Sequence, residues 1–129
     1  MDLLFYASDT EDIGNPLWKL FQGLEYPYKR EFFLKVDDFV NRLRRPISDP
    51  AIAVILVANY EDLEAFLAIR DLLDRVRTIL ILPDRNKDTI NKGLALFPRF
   101  LTHVDGNFDW VEEVLHKMLS NNNNNNRLG

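Results

Sequence analysis

Residues 51–58, AIAVILVA, form an unbroken apolar run behind the turn-forming Ser48, Asp49 and Pro50. A half-exposed strand alternates apolar and polar residues, whereas a strand covered on both faces needs no polar position at all. The run therefore reads as a central strand of a parallel sheet. Such a strand requires a helical layer on each side, and the flanking sequence supplies both.

In chain order, Leu3 to Ala7 (LLFYA) predicts a first buried strand, followed by an acidic loop of Ser8, Asp9, Thr10, Glu11 and Asp12. Asn15 as cap with Pro16 at the first helical position starts a helix to about Leu24, with Leu17, Leu20, Phe21 and Leu24 at helical spacing. Glu31 to Val36 predicts an edge strand. The next helix is capped by Asp37 and Asp38 and stopped by Pro46; Phe39, Val40 and Leu43 face inward, and Asn41, Arg42, Arg44 and Arg45 outward. After the central strand, Asn59 caps a helix carrying Leu63, Phe66, Leu67, Arg70 and Leu73.

Thr78 to Leu82 (TILIL) is a second fully apolar strand, stopped by Pro83. Ile90, Leu94 and Phe97 form the stripe of a fourth helix, in whose interior Gly93 costs about 1 kcal/mol relative to alanine. Phe100 to Val104 gives the last strand. Asp109 to about Leu119 gives the last helix, with Val111, Val114, Leu115 and Met118 on one face. The reading is one domain over residues 1–119, with residues 120–129 as a flexible Asn-rich tail that buries no apolar surface.

Composition narrows the function classes. The 129 residues contain no cysteine, which excludes disulfides, cysteine nucleophiles and thiolate metal sites; His103 and His116 are the only imidazoles. A net charge of −4 argues against broad attraction to nucleic acid or anionic membrane. No apolar run approaches the roughly 20 residues of a membrane helix, and the amino terminus lacks the pattern of a signal peptide, so a cytoplasmic location is expected. Neither G-x-G-x-x-G after the first strand nor G-x-x-x-x-G-K-[ST] occurs, so both standard phosphate cradles are missing.

Five strands alternating with five helices predict a three-layer αβα sandwich with a five-stranded parallel sheet in the flavodoxin-like order 2-1-3-4-5. Over residues 1–119 the chain resembles the receiver domain of two-component response regulators. The best local match is FLTHVDGNFDWVEEVLHKML, residues 100–119, which looks like the receiver ending of strand, turn and last helix. The resemblance implies four functional positions. A phosphoaccepting aspartate would end strand three, where Val57, Ala58 and Asn59 stand; a hydroxyl would end strand four, where Pro83 stands; a lysine would end strand five, where His103 stands. An amide is a poor nucleophile and brings no charge for magnesium, and a largely neutral imidazole does not replace an ammonium. Only the acidic group after strand one has counterparts, in Asp9, Glu11 and Asp12. The expectation is thus a degenerate receiver, not phosphorylated at the usual place, without catalysis or cofactor, acting through protein partners.

The competing reading is a small ligand-binding or Mg-dependent catalytic domain of the same fold. Asp9, Glu11, Asp12, Asp84 and Asp105 follow strand carboxyl ends, where open αβ sheets bind ligands, and His103 would serve there as acid or base. The plainer account of those carboxylates is helix capping and turn formation, so no metal site is assigned. Tyr26, Pro27 and Tyr28 beside Lys29 and Arg30 read as a solvated loop in preference to a nucleic-acid surface. Receivers dimerise and meet effectors through their last two helices and last strand; Phe97, Phe108 and Trp110 are the interface residues this implies here, with a homodimer as one form of contact. Phe100 is a fourth residue to test for that interface, with core packing as its default, and Trp18 and Trp110 are read as partly exposed.

Overall fold

The computed structural model describes residues 2–24, 29–48, 51–104 and 110–118. Strands β1 (Asp2–Tyr6), β2 (Lys29–Phe33), β3 (Ala51–Leu56), β4 (Arg77–Leu82) and β5 (Phe100–His103) form one sheet, parallel throughout, in the order β2-β1-β3-β4-β5. The predicted flavodoxin-like topology is the one observed. All six residues of β3 are buried, and β3 lies at the centre of the sheet between β1 and β4.

Helices α1 (Asn15–Gly23), α2 (Val36–Leu43), α3 (Tyr60–Ala68), α4 (Arg70–Leu73), α5 (Lys87–Leu94) and α6 (residues 110–118) connect or follow the strands. Because successive strand side chains point to opposite faces, the apolar runs build two cores. On one face Leu3, Phe5, Ile52, Val54, Leu56, Ile79 and Ile81 meet Leu17 of α1 and Val111, Leu115 and Met118 of α6. On the other, Leu4, Tyr6, Ala53, Ile55, Leu80 and Leu82 meet Phe39 and Leu43 of α2, Leu63 and Phe66 of α3 and Leu73 of α4. Full burial of each large side chain contributes about 1.5–3 kcal/mol. Aromatic contacts reinforce both layers. Phe5, Phe21, Phe32 and Trp18 pack together on the first face, and Tyr6, Phe33, Phe39 and Phe66 on the second.

Several local expectations are corrected. Gly14, not Asn15, is the N-cap of α1; the Asn15 side chain donates instead to the Thr10 carbonyl at 3.1 Å. A Cβ on Gly14 would lie 2.0 Å from the Asp9 carbonyl oxygen, so only glycine fits this turn. β2 starts earlier than expected, at Lys29, and Val36 already belongs to α2. The helix expected to run to Leu73 breaks at Ile69, whose φ of −114° and ψ of 20° leave the helical region; its N–H bonds the Phe66 carbonyl at the tighter i→i−3 spacing.

Arg42 was expected to face outward and is buried. Its Nη2 lies 3.3 Å from Asp2 Oδ2, its Nε donates to Glu31 Oε1 at 3.0 Å and its Nη1 to the Pro46 carbonyl at 3.2 Å. Its helix position borders the apolar face, and a carboxylate from the start of β1 draws it in.

Of the apolar stripe read from sequence for α5, Ile90 packs against the second core, but Leu94 and Phe97 do not. Thr89 and Gly93 are buried, with Leu96 beyond the helix end, while Leu94 is 52% and Phe97 82% exposed. A Cβ at Gly93 would sit 3.1 Å from the Leu82 δ-carbons and 3.3 Å from Leu80 Cδ2. The glycine is therefore the point of closest approach of α5 to β4. Phe97 follows at φ 52°, left-handed backbone that bulky residues rarely adopt. Phe100, for which core packing was the default beside an interface role, is 42% exposed at the start of edge strand β5. Trp18 and Trp110 are partly buried.

Candidate functional site

The carboxyl ends of the strands carry the positions that the receiver resemblance singles out. At the end of β1, Tyr6 is fully buried, and its hydroxyl donates to Asp62 Oδ2 at 3.1 Å. Burial first, then the Asp62 carboxylate, pushes the phenol well above its ordinary value, so it stays protonated and remains a donor. This pair was not foreseen. Its sequence signal is thin: one polar atom ending an apolar strand and one acid in the first turn of a later helix.

At the end of β3, Val57 is buried and its N–H reaches the Ile81 carbonyl at 2.8 Å, which prolongs the sheet by one bond. Ala58 follows, packed against the first core. Asn59 is the N-cap of α3, as the sequence predicts: its backbone is extended, at φ −153°, and its Oδ1 accepts from the Asp62 N–H at 2.8 Å. The same Asp62 thus accepts from Tyr6 through its side chain and donates to Asn59 through its backbone. The polar groups at this place are joined to one another in a structural cap.

The other rim residues are similarly placed in turns. Asp9 Oδ1 accepts from the backbone N–H groups of Asp12 at 2.8 Å and Gly14 at 3.0 Å, which folds the loop into α1. Glu11 and Asp12 are exposed. Asp84 Oδ1 accepts from the Asn86 N–H at 2.9 Å ahead of α5. Pro83 directly follows β4, and His103 ends β5 in register with Leu82; both are partly buried. Among the described residues no three His, Asp or Glu side chains come together in a group suited to a metal ion. Asp105, Phe108 and Asp109, and the aromatic-basic stretch Tyr26, Pro27 and Tyr28, lie outside the described residues.

The side of the sheet beyond β4 is different in character. Leu94, Phe97 and Phe100 are all exposed large apolar residues at the corner where α5 leads into β5, and Trp110 lies across β5 beside Phe100, Leu101 and Thr102 around a hollow of about 260 Å³. Of the predicted interface residues, Phe97 is at the surface and Trp110 packs against the first core.

These features define the class by fold alone: a five-stranded parallel α/β protein of flavodoxin-like order. No protein-family model, no curated protein and no solved structure matches the chain. No helix among the described residues is long and apolar enough to cross a membrane.

Proposed function

We propose that this chain is a degenerate, receiver-like regulatory module that works through protein contacts and does not turn over phosphate. The observation that carries the reading is the use of Asn59: at the place where a receiver presents its acceptor carboxylate, this chain has an amide whose oxygen caps α3. Pro83 brings no hydroxyl and His103 no permanent charge to the neighbouring strand ends. Asp9, the half-buried member of the acidic group, already has one carboxylate oxygen engaged by two backbone N–H groups. Support for contacts comes from the α5–β5–α6 side, where Leu94, Phe97 and Phe100 expose apolar surface. A protein partner, or a second copy of the chain, docks on that side.

The test is incubation of the full chain with acetyl phosphate and magnesium, followed by intact-mass measurement. No phosphoryl adduct is expected; an adduct mapped to any aspartate would overturn the reading. Size-exclusion chromatography with light scattering then separates self-association from a need for another partner.

A further inference from the structure

The two edges of the sheet differ in character. β2 carries Lys29, Arg30 and Glu31, charges of the kind that keep an open edge from pairing with another strand. β5, with the sequence FLTH, contains no proline, no carboxylate and no permanent cation. Its outer backbone groups have no such protection from the strand itself.

The bonds to β4 identify those groups. The Val104 N–H donates to the Leu82 carbonyl at 2.9 Å, and the register of β5 on β4 is constant from Phe100 to His103. Backbone groups of a strand turn alternately to one side and the other, so Thr102 is turned toward β4, like Val104, and Leu101 and His103 are turned away. The Arg99 N–H reaches the Thr78 carbonyl at 2.7 Å from before the strand, outside this alternation. Side chains alternate with the same period. Phe100 and Thr102, in register with Ile79 and Ile81, lie on the face of the first core, where Trp110 completes the hollow of about 260 Å³. Phe100 stands 42% exposed beside it, and Leu101 packs against the second core.

This edge is complementary to itself. A twofold axis through Thr102, perpendicular to the sheet, lays a second copy of β5 antiparallel to the first and sets Leu101 against His103 twice, each pair exchanging two N–H to carbonyl bonds. Side chains of the same face then meet. Thr102 faces Thr102 on the axis, and Phe100 is set against Val104 with its ring at the hollow beside Trp110. No like charges face each other in these pairs. A slip of one residue would turn donors away from acceptors and bring opposite faces together.

We infer that β5 pairs antiparallel with β5 of a second copy of this chain, joining the two sheets into one, with Phe100 of each copy seated beside Trp110 of the other. The contact runs through the backbone of an edge strand and not through helix faces. It deepens the protein-contact reading by naming the second copy as the partner, and rests on that reading only for the choice of side. Phosphoryl uptake would overturn that reading and leave the strand pairing standing.

The experiment is sedimentation velocity on the full chain across a concentration series, with amide hydrogen exchange followed residue by residue by NMR. A dimer is expected to build up with concentration, and the Leu101 and His103 amides are expected to exchange more slowly as it does. Phe100→Lys, at an exposed position, should weaken the dimer by about tenfold or more while the circular dichroism spectrum stays that of the wild type. A chain that stays monomeric at every concentration overturns the inference and leaves this side to a different protein. A dimer in which the Leu101 and His103 amides keep their monomer rates overturns it in favour of a helix-face contact. So does a dimer indifferent to Phe100→Lys.

Discussion

Tyr6 and Asp62 join the end of the second strand in the sheet to the first turn of α3 through one hydrogen bond of 3.1 Å, made by a fully buried phenol to a partly buried carboxylate. The bond lies at the carboxyl ends of the strands, and its consequence is measurable with pH. The folded phenol holds its proton above the ordinary value of 10.0, at which the unfolded chain releases it. A raised folded pKa gives stability that is fully present below the unfolded value and is lost as pH rises toward the folded one. Denaturant midpoints should therefore fall above pH 10 in the wild type. In Tyr6→Phe that alkaline slope should shrink, while stability at neutral pH drops by about 1 kcal/mol for the lost bond.

Asn59 offers a direct test of the proposed reading. Asn59→Ala removes the side-chain oxygen that receives the Asp62 N–H and should cost about 1 kcal/mol in urea unfolding. Asn59→Asp keeps a capping oxygen and should change stability by less than about 0.5 kcal/mol, since both residues cap well. It should still take up no phosphate from acetyl phosphate, because Pro83 and His103 do not supply the hydroxyl and ammonium. An adduct at position 59 would show that the carboxylate alone was missing.

Arg42 is the cation of a buried cluster, and its removal takes the guanidinium away from Asp2, which is 6% exposed. Arg42→Met should destabilise by about 3 kcal/mol, with the loss coming mainly from Asp2, because the Glu31 side chain is 41% exposed and easily hydrated. Burial raises the Asp2 carboxyl, but the hydrogen bonds from Ser48 and the charge of Arg42 together outweigh it and leave the group below its ordinary 3.8. A depressed folded pKa gives stability that is present above the unfolded value and lost as pH falls through the folded one. Acid unfolding should begin below pH 3.8 in the wild type, and Asp2→Asn should flatten that limb.

Gly93 is where helix propensity and packing oppose each other. Alanine gains about 1 kcal/mol of helix propensity, but its methyl must push the Leu82 δ-carbons from 3.1 Å, so Gly93→Ala should be close to neutral in thermal melts. Gly93→Val adds bulk that the fully buried Leu82 has no room to escape, and should cost about 2 kcal/mol.

The sheet was legible because AIAVILVA and TILIL are apolar without interruption, and two such strands place themselves in the middle of a parallel sheet with no knowledge of their neighbours. The cap at Asn59 was legible because a cap depends on residues three apart. The face of α5 was legible only in part: Ile90 packs as its spacing suggests, whereas the approach of Gly93 to Leu82 leaves Leu94 outward and Phe97 lies past the helix end in left-handed backbone. The burial of Arg42 was hidden for a similar reason: its partners Asp2 and Glu31 arrive from β1 and β2, and helix periodicity alone does not reveal them. The break at Ile69 lacks the glycine or proline that marks such breaks in a sequence.

The two bonds between Asp2 and Ser48, N–H to Oγ at 2.8 Å and Oδ2 from the Ser48 N–H at 3.0 Å, span 46 residues. All five residues of β1 are buried, so hydrophobicity favours neither side, and sliding the strand by one residue would exchange Leu3 and Phe5 with Leu4 and Tyr6 at little cost in apolar burial. A hairpin would set the alignment through its turn, but parallel neighbours have none. The Asp2–Ser48 clasp at one end of β1 and the Tyr6–Asp62 bond at the other act as two alignment pins, so that two polar contacts at opposite poles of the strand select a single threading of the sheet.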